Sequence, residues 1–285
     1  MIRSLILIGF TYLIFHMHIT GDINKYINMK YSYLSASAGY ALLVLTIIQI
    51  LKLNKEADES HDEHCDHDHC GHNHSKEDKW YKKLLIYPIF AFPIISGLFF
   101  PIATLDSNIV KAKGFHFPIY DESKGDSFMQ QQFLRPDTSV YYGKDDYDAL
   151  MNKEKKKYIN QNTIVLNDQN YLKGMETIYN FPGDFLGKEV EFKGFVFNDS
   201  ESINKNQLFV FRFGVIHCIA DSGVFGMMVE MPDGTKKLKN DQWITVKGKI
   251  STIYYQPFKT NIPYLKVEDW KTTTAPKEQY VFRGY

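Results

Sequence analysis

Long apolar runs dominate the first 105 residues of the chain and predict helices that cross a membrane. Residues 31–53 carry one lysine close to their end, and residues 84–105 carry no Asp, Glu, Lys or Arg. At a rise of about 1.5 Å per residue, either run can span a hydrocarbon core of about 30 Å. Prolines in the second run are tolerated in lipid where neighbouring groups satisfy the freed carbonyls, so they predict kinks or a helix-packing face.

A third apolar run, residues 4–20, opens the chain and has two interpretations. Its charged start and apolar middle are typical of a signal peptide, but HMHITGD stands where a small-residue cleavage site is expected. We therefore predict a retained helix and a membrane domain, residues 1–105, with helices at about 4–20, 31–53 and 84–105. His16 and His18 near the end of the first helix are two positions apart, so they point to different faces.

The rest of the chain divides by composition into two regions. Residues 106–160 are polar, with a charged, helix-like piece at 145–158, and predict a linker with a short helix. Residues 161–285 consist of a helix-like lead-in and short runs of alternating apolar residues bounded by Gly, Asn and Asp, which predict strands.

Two of these runs, 187–196 and 241–250, end in a glycine bend, and five such strands predict an OB-like barrel. Phenylalanines at a period of two are expected in its core and not on a base-stacking surface: Phe192, Phe195, Phe197, Phe209, Phe211 and Phe213.

The distribution of basic residues predicts the orientation of the membrane domain. The His-rich loop region carries Lys52, Lys55, Lys76, Lys79, Lys82 and Lys83, whereas the loop at 20–30 has only Lys25 and Lys30. Loops with more lysine and arginine lie on the cytoplasmic side of a membrane. We therefore expect a multi-pass cell-membrane protein whose amino terminus and 54–83 loop are cytoplasmic and whose carboxyl-terminal domain is extracytoplasmic.

The 54–83 loop contains the clearest chemistry of the chain. SHDEHCDHDHCGHNHS at 60–75 concentrates six of the ten histidines and two of the three cysteines. Imidazole and thiolate are ligands for transition metals, so we predict a divalent metal, with zinc first and nickel or cobalt as alternatives. The spacing fits no single ligand set, which favours a flexible chelator over a zinc finger; a solvated loop or tag-like insertion is the alternative. The candidate ligands are His61, His64, Cys65, His67, His69, Cys70, His72 and His74.

A second, weaker candidate site lies in the predicted β domain. His217, Cys218 and Asp221 combine an imidazole, a thiol and a carboxylate, which suit part of a metal site or an activated nucleophile. On a strand, however, His217 and Cys218 would point to opposite faces, and a lone cysteine is commonly a small buried hydrophobe. With one cysteine in this domain, no intradomain disulfide is expected.

The net charge of the chain says little about its binding partners. The chain has 33 basic and 33 acidic residues, which offers no support for nucleic-acid binding. No catalytic signature is present, and a hydrolase or redox enzyme would rest on Cys218 alone, so we do not expect an enzyme.

Three segments together resemble a family of bacterial membrane proteins, the YcgQ-type family. They are LILIGFTYLIFHMHITGDINKYINMKYSYL near the amino terminus, PIATLDSNIVKAKG at 101–114 and IHCIADSGVFG at 216–226. The resemblance covers nearly the whole chain except the His-rich loop. It implies a permease subunit that is paired with a larger multi-helix permease and linked to metal homeostasis, and it brings no catalytic residues. It also implies two adjacent cysteines before the Ala-Asp pair, where this chain has His217 and Cys218.

These observations predict an accessory subunit of a membrane transport system, acting with a multi-helix permease on a divalent transition metal. The three apolar helices contain no acid or base in their interiors and are too few to form a pathway alone. The alternative is a membrane-anchored binding module, in which the outer domain captures a ligand or partner and the loop only buffers metal.

Overall fold

The structure is a computed structural model that describes residues 2–59, 80–102, 104–113, 144–199 and 206–283. It divides into two compact units, Met1–Thr104 and Leu105–Tyr285. The first unit is helical and the second is built mainly from β-strands, with helices at its start. A mostly-sheet carboxyl-terminal domain after apolar amino-terminal helices fits a membrane-anchored protein.

Three helices make up the described part of the first unit. They are α1 (Ile2–Thr20), α2 (Ser32–Glu59) and α3 (Trp80–Phe99). The spans Ile2–Thr20 and Met29–Lys55 are long and apolar enough to cross a membrane, and only 11% of each is buried. A core helix of a soluble protein would be mostly buried, so this exposure favours lipid as the surrounding medium.

The third helix is shorter than the sequence predicts. The 84–105 run was expected to be helical throughout, whereas α3 ends at Phe99 and its apolar part covers Leu85–Phe99. Pro101 explains the early end, because the residue before a proline is disfavoured in the α conformation. The apolar part is therefore shorter than the roughly 20 residues that a membrane crossing requires.

A tight turn joins α1 and α2. Gly21 adopts a left-handed φ of 79°, which suits glycine because it lacks a Cβ. The ammonium group of Lys25 lies 2.7 Å from the carboxylate of Asp22, and this hydrogen bond holds the pKa of Asp22 below its usual value. The side chain of Asn28 accepts a hydrogen bond from the Lys30 backbone N–H at 3.1 Å, at the turn that leads into α2.

The second unit begins with helices that the sequence assigned to a linker. Its helices are α4 (Ser107–Lys113), α5 (Lys144–Tyr158), α6 (Tyr171–Asn180) and α7 (Pro182–Phe185). Val110 of α4 and Tyr158 of α5 belong to the same buried core as the strands. The described parts of 106–160 are thus part of the domain, which the polar composition of that region does not indicate. The predicted helical lead-in corresponds to α6.

The described residues of the second unit form a sheet of seven strands. They are β1 (Thr163–Leu166), β2 (Glu189–Phe197), β3 (Gln207–Val215), β4 (Gly223–Glu230), β5 (Trp243–Tyr255), β6 (Thr260–Thr272) and β7 (Val281–Phe282). Their order is β1-β2-β5-β6-β4-β3-β7, and β2 also pairs with β3. Following the pairings from β2 through β5, β6, β4 and β3 therefore leads back to β2. Within this cycle only the β4–β6 pair is parallel.

Glycines allow the strands to approach closely where the sequence predicts bends. A Cβ added to Gly194 in β2 would lie 2.6 Å from the carbonyl oxygen of Phe211. A Cβ added to Gly248 in β5 would lie 2.0 Å from the carbonyl oxygen of Lys266, beside a register shift in the β5–β6 ladder. Both distances are far below a normal contact, so any side chain at these positions would push the strands apart.

The predicted aromatic core is confirmed. All six phenylalanines on β2 and β3 are buried, and none of their side chains is more than 5% exposed. The rings of Phe209 and Phe211 stack at 5.2 Å, and those of Phe195 and Phe213 stack at 5.4 Å. The Phe195–Phe213 stack joins β2 to β3, whereas the Phe209–Phe211 stack lies within β3. Burial leaves these rings no open face for nucleic-acid bases.

Candidate functional site

The strongest predicted site lies outside the described residues. His61, His64, Cys65, His67, His69, Cys70, His72 and His74 all fall between residues 60 and 79. Helix α2 ends at Glu59, two residues before His61, and α3 begins at Trp80. The metal-chelating loop therefore stays a prediction of the sequence.

The second predicted site does form a cluster in the structure. Nδ1 of His217 lies 2.7 Å from Oδ2 of Asp221, and this carboxylate also accepts hydrogen bonds from the backbone N–H groups of His217 and Cys218 at about 3.0 Å. The side chain of His217 is 39% exposed and that of Asp221 is 17% exposed. Cys218 is half-buried and forms no disulfide.

The expectation that His217 and Cys218 both lie on a strand is wrong, although the backbone of Cys218 is extended. Strand β3 ends at Val215, and a short 3-10 helix, Ile219–Asp221, follows Cys218 before β4 begins. Asp221 draws the chain into a tight loop by accepting both backbone N–H groups. This loop brings the His217 imidazole onto the Asp221 carboxylate and ties the Cys218 backbone to the same carboxylate.

The loop does not by itself make a metal centre. Among residues 2–59, 80–102, 104–113, 144–199 and 206–283, no group of three or more His, Cys, Asp or Glu side chains is arranged to hold a metal ion. The Asp221 carboxylate already binds the imidazole and the backbone. The cluster holds one imidazole against one carboxylate, and ligation by this site stays a prediction.

Polar side chains line the contact between α1 and α2. The hydroxyls of Thr11 and Thr46 lie 3.3 Å apart and are buried, and Nε2 of His18 lies 2.9 Å from the Ser35 hydroxyl. Because that hydroxyl donates to the Ser32 carbonyl at 2.9 Å, Nε2 of His18 is the donor. Hydrogen bonds of this kind add to van der Waals packing in holding helices together in lipid, where the hydrophobic effect supplies no driving force between them.

The two histidines of α1 do point in different directions, as their spacing predicts. The His16 ring stacks on Tyr12 of the same helix, with ring centres 5.6 Å apart, whereas His18 reaches Ser35 on α2. They form no shared ligand pair. Their roles in the described structure are helix packing and helix pairing.

Two buried arginines anchor the carboxyl-terminal segment, and sequence reasoning missed them. Arg212 on β3 donates to the carbonyl of Glu278 at 3.0 Å, and its guanidinium also binds the Asp168 carboxylate. The same guanidinium lies 5.5 Å from the centre of the Tyr171 ring. The sequence did contain a sign of this contact. Arg212 lies inside the hydrophobic run QLFVFRFGV, and a charge buried in a strand needs hydrogen-bonding partners.

Helix α6 provides the surface beneath these contacts. Glu176 on α6 is fully buried and meets Arg283, which follows β7, at 3.3 Å. Burial raises the pKa of the Tyr171 hydroxyl, and the Arg212 charge opposes that rise. Burial also lowers the pKa of Lys173 on the same helix. Through Arg212 and Glu176, these contacts fix the segment that contains Glu278 and Arg283.

Comparison with known proteins identifies relatives along the whole chain. Residues 2–116 match the DUF1980 N-terminal domain and residues 141–283 match the DUF1980 C-terminal domain. The UPF0703 protein YcgQ of Bacillus subtilis is 50% identical over 299 aligned residues, covering 100% of both chains. A Streptococcus mutans protein named "putative two-component membrane permease complex subunit" is 36% identical over 289 aligned residues, again covering 100% of both.

Proposed function

Because this chain belongs to the DUF1980 family, we propose that it is an accessory subunit of a membrane permease complex that moves a divalent transition metal. One observation carries the accessory role: the full-length similarity to a streptococcal protein named as a putative subunit of a membrane permease complex. The choice of a divalent transition metal rests on the His-rich loop alone. The apolar spans Ile2–Thr20 and Met29–Lys55 provide the membrane anchor that this role requires.

The composition of the helices supports an accessory role over a self-sufficient transporter. Residues 4–20, 32–51 and 84–102 contain no Asp, Glu, Lys or Arg. A pathway for a metal ion through lipid needs such groups or a water-filled cavity between several helices. The pathway therefore belongs to a partner with more helices, and this chain would bind beside it.

In this proposal α3 and the apolar residues 100–102 that follow it form a third crossing. The helix alone is short for a crossing, but residues 84–102 together carry no charge and come close to the required length, and lysines precede them. The amino terminus and the His-rich loop then lie in the cytoplasm, and the carboxyl-terminal domain lies outside. The excess of lysine around residues 54–83 supports this orientation.

The carboxyl-terminal domain is an OB-type barrel in this proposal. The cycle of pairings among β2, β5, β6, β4 and β3 supports closure, and the close approaches at Gly194 and Gly248 support the strong curvature that a five-stranded barrel needs. Its aromatic residues are buried in the core, so partner binding would use its loops, among them the His217–Asp221 loop.

The metal specificity rests on the loop at residues 61–74. Six imidazoles and two thiols there suit Zn²⁺ first, with Ni²⁺ and Co²⁺ as alternatives. The loop joins α2 to α3, so it would concentrate metal at the cytoplasmic end of the complex. It would exchange metal with the permease and not retain it as a structural site does.

Purification of the tagged full-length chain from membranes in mild detergent tests the accessory role. We expect one multi-spanning membrane protein to co-purify in a fixed ratio, with and without added Zn²⁺. If the chain purifies alone or only with further copies of itself, the accessory role is wrong, and a membrane-anchored binding module with a metal-buffering loop takes its place.

A further inference from the structure

Two sides of helix α1 are covered by helices of the same chain. A Cβ added to Gly97 of α3 would lie 2.9 Å from Cδ1 of Leu13, and a Cβ added to Gly39 of α2 would lie 3.0 Å from Cγ2 of Ile14. These close contacts bring α2 and α3 onto α1 at its middle. A partner helix that packs on α1 must therefore use another side of it.

A third side of α1 is exposed along most of the helix. At about 100° per residue, positions 8, 12, 16 and 19 fall within a sector about 80° wide. Ile8 is 42% exposed, Tyr12 is 58% exposed and Ile19 is 84% exposed. The described residues of this unit therefore leave the side uncovered, and it carries the polar rings of Tyr12 and His16 among its apolar side chains.

Two tyrosines lie at the same depth beside this side of α1. Tyr12 is eight residues before Thr20, where α1 ends. Tyr40 is eight residues after Ser32, where α2 begins. Each tyrosine is thus about 12 Å along its helix from the turn that joins α1 to α2. Tyr40 is 61% exposed, and its ring meets Phe15, three positions after Tyr12, with ring centres 5.4 Å apart. We call the surface formed by Ile8, Tyr12, His16 and Tyr40 the tyrosine face.

The hydroxyls of Tyr12 and Tyr40 have no hydrogen-bonding partner in the described part of the chain. Tyrosines that anchor a helix at the membrane surface place the hydroxyl among headgroups and water. At about 12 Å from the helix ends, these two lie well inside a hydrocarbon core about 30 Å thick. A hydroxyl left without an acceptor in lipid is costly, so these groups require a neighbour that accepts hydrogen bonds.

Polar side chains on the α2 side of α1 differ from the tyrosine face, because they are satisfied within the chain. The Thr11 hydroxyl donates to the Leu7 carbonyl at 2.8 Å and lies 3.3 Å from the Thr46 hydroxyl. Nε2 of His18 lies 2.9 Å from the Ser35 hydroxyl. The acceptor that Tyr12 and Tyr40 need must therefore come from outside the described residues.

We propose that the tyrosine face binds one transmembrane helix of the permease, and that this helix carries an Asp or Glu side chain at the depth of Tyr12 and Tyr40. The inference rests on the proposed function. A phenolic hydroxyl donates a hydrogen bond, and a carboxylate is the acceptor that binds such a donor most strongly. A lipid acyl chain has no acceptor. A permease for a divalent cation, in contrast, needs acidic side chains inside the membrane.

The stacked ring of His16 orients Tyr12 for this contact. The two ring centres are 5.6 Å apart and the ring planes differ by 8°. Because His16 lies one turn nearer the end of α1, it holds the Tyr12 ring from the side of the connecting turn. Ile8 lies one turn away on the other side of Tyr12 and provides apolar contact for the same partner helix.

Removing the hydroxyls alone tests the proposed hydrogen bonds. Tyr12→Phe and Tyr40→Phe keep the rings, so the full-length chain should accumulate in membranes as the parent does. Recovery of the permease in mild detergent should fall by about threefold for each variant and by about tenfold for the double variant, as expected for hydrogen bonds between helices in lipid. Unchanged recovery with the double variant would overturn the proposal.

Tyr33→Phe is the matched control. Tyr33 is 64% exposed but lies in the first turn of α2, where water at the membrane surface satisfies its hydroxyl. Its substitution should leave the recovery of the permease unchanged. A loss in Tyr33→Phe as large as in Tyr12→Phe would also overturn the proposal, because the effect would not depend on depth.

Photo-crosslinking in native membranes identifies what covers the tyrosine face. A benzophenone amino acid replaces Ile8 in the full-length chain, which leaves both tyrosines intact. The control probe replaces Leu45, which is 52% exposed and lies about 140° around α2 from Tyr40. We expect the probe at position 8 to form one discrete adduct with a transmembrane segment of the permease, with an Asp or Glu within about two turns of the crosslinked residue. The probe at position 45 should give lipid adducts.

The outcomes separate this inference from the function on which it rests. If the permease co-purifies but the position 8 probe reaches only lipid or a second copy of this chain, the tyrosine face is not the contact and the accessory role stands. A permease adduct on a segment without a nearby acidic residue would overturn the carboxylate contact. If no multi-spanning protein co-purifies with the unmodified chain, both the inference and the accessory role fall.

Discussion

The guanidinium of Arg283 lies 3.3 Å from the carboxylate of Glu176, and both side chains are almost completely buried. The pair joins the end of the chain to α6 across 107 positions of sequence. Arg212 binds the carbonyl of Glu278 nearby, so two arginines fix the segment that carries β7. A buried ion pair of this kind specifies where the segment docks, because either charge alone would be costly to bury.

Removing one member of this pair should destabilise the domain strongly. Arg283→Met deprives the buried Glu176 carboxylate of its cation, and we expect the free energy of unfolding to fall by about 3–5 kcal/mol. Urea unfolding of the full-length protein in detergent, followed by tryptophan fluorescence, measures the change. The double variant Arg283→Met, Glu176→Leu should recover most of the loss; a double variant as unstable as the single one would contradict this account.

The close strand approach at Gly248 should not tolerate a methyl group. Gly248→Ala would place its Cβ 2.0 Å from a backbone oxygen that cannot rotate away, so we expect a loss of about 1–3 kcal/mol or more. Gly183→Ala is the matched control, since no atom lies within 4 Å of the added carbon. Thermal unfolding compares the two, and equal melting temperatures would show that the strands separate at little cost.

The Glu189 carboxylate predicts a small dependence of stability on pH. It accepts a hydrogen bond from Thr163 at 2.6 Å and binds Lys247 at 3.0 Å, and these contacts lower its pKa below 4.5. A lowered folded-state pKa stabilises the fold above the unfolded value, and this contribution is lost as pH falls through the folded value. Glu189→Gln should therefore be less stable than the parent at pH 7 and approach it near pH 3.

The stability that Lys247 contributes at the same site depends on pH in the opposite sense. Glu189 raises the pKa of Lys247, so the contribution of Lys247 is complete below its unfolded pKa and lost as pH rises through the folded value. Both groups are partly exposed, which keeps either effect small and sensitive to salt. Equal pH profiles for the parent and Glu189→Gln in low salt would show that the pair is energetically silent.

The His-rich loop should bind metal through interchangeable ligands. Deleting residues 61–74 should abolish Zn²⁺ binding by the loop and leave the fold intact, whereas His67→Ala should change the affinity little, because neighbouring imidazoles replace the lost one. Binding should weaken as pH falls through about 6.5, where imidazoles become protonated. Equilibrium dialysis with Zn²⁺ measures both effects. Complete loss of binding in His67→Ala would indicate a preorganised site.

Cysteine accessibility tests the orientation. The variant Cys218→Ser retains only Cys65 and Cys70, and the variant Cys65→Ser, Cys70→Ser retains only the half-buried Cys218. On intact cells a membrane-impermeant maleimide should label the second variant and spare the first, which should react only after the membrane is opened. Labelling of the loop cysteines on intact cells would reverse the orientation.

Local patterns in the sequence determined the main elements of this protein. A long run of uncharged, apolar residues predicts a membrane-spanning helix whatever its neighbours are. The composition of the sequence was therefore enough to predict α1 and α2. Alternation at a period of two placed Phe209 and Phe211 in the core, since one face of a strand must be buried. The bends at Gly194 and Gly248 were predicted because close strand contacts leave no room for a Cβ. The full-length family resemblance was also present in the linear motifs.

Only the tertiary structure decided which distant residues meet. Nothing local indicates that Arg283 pairs with Glu176, that Arg212 holds the backbone of Glu278, or that Gly97 packs on Leu13. The His217 loop shows the same limit: strand β3 ends at Val215, and the Asp221 carboxylate accepts hydrogen bonds from the backbone N–H groups of His217 and Cys218. Such contacts depend on the folded path of the whole chain, which residue types and spacing do not encode position by position.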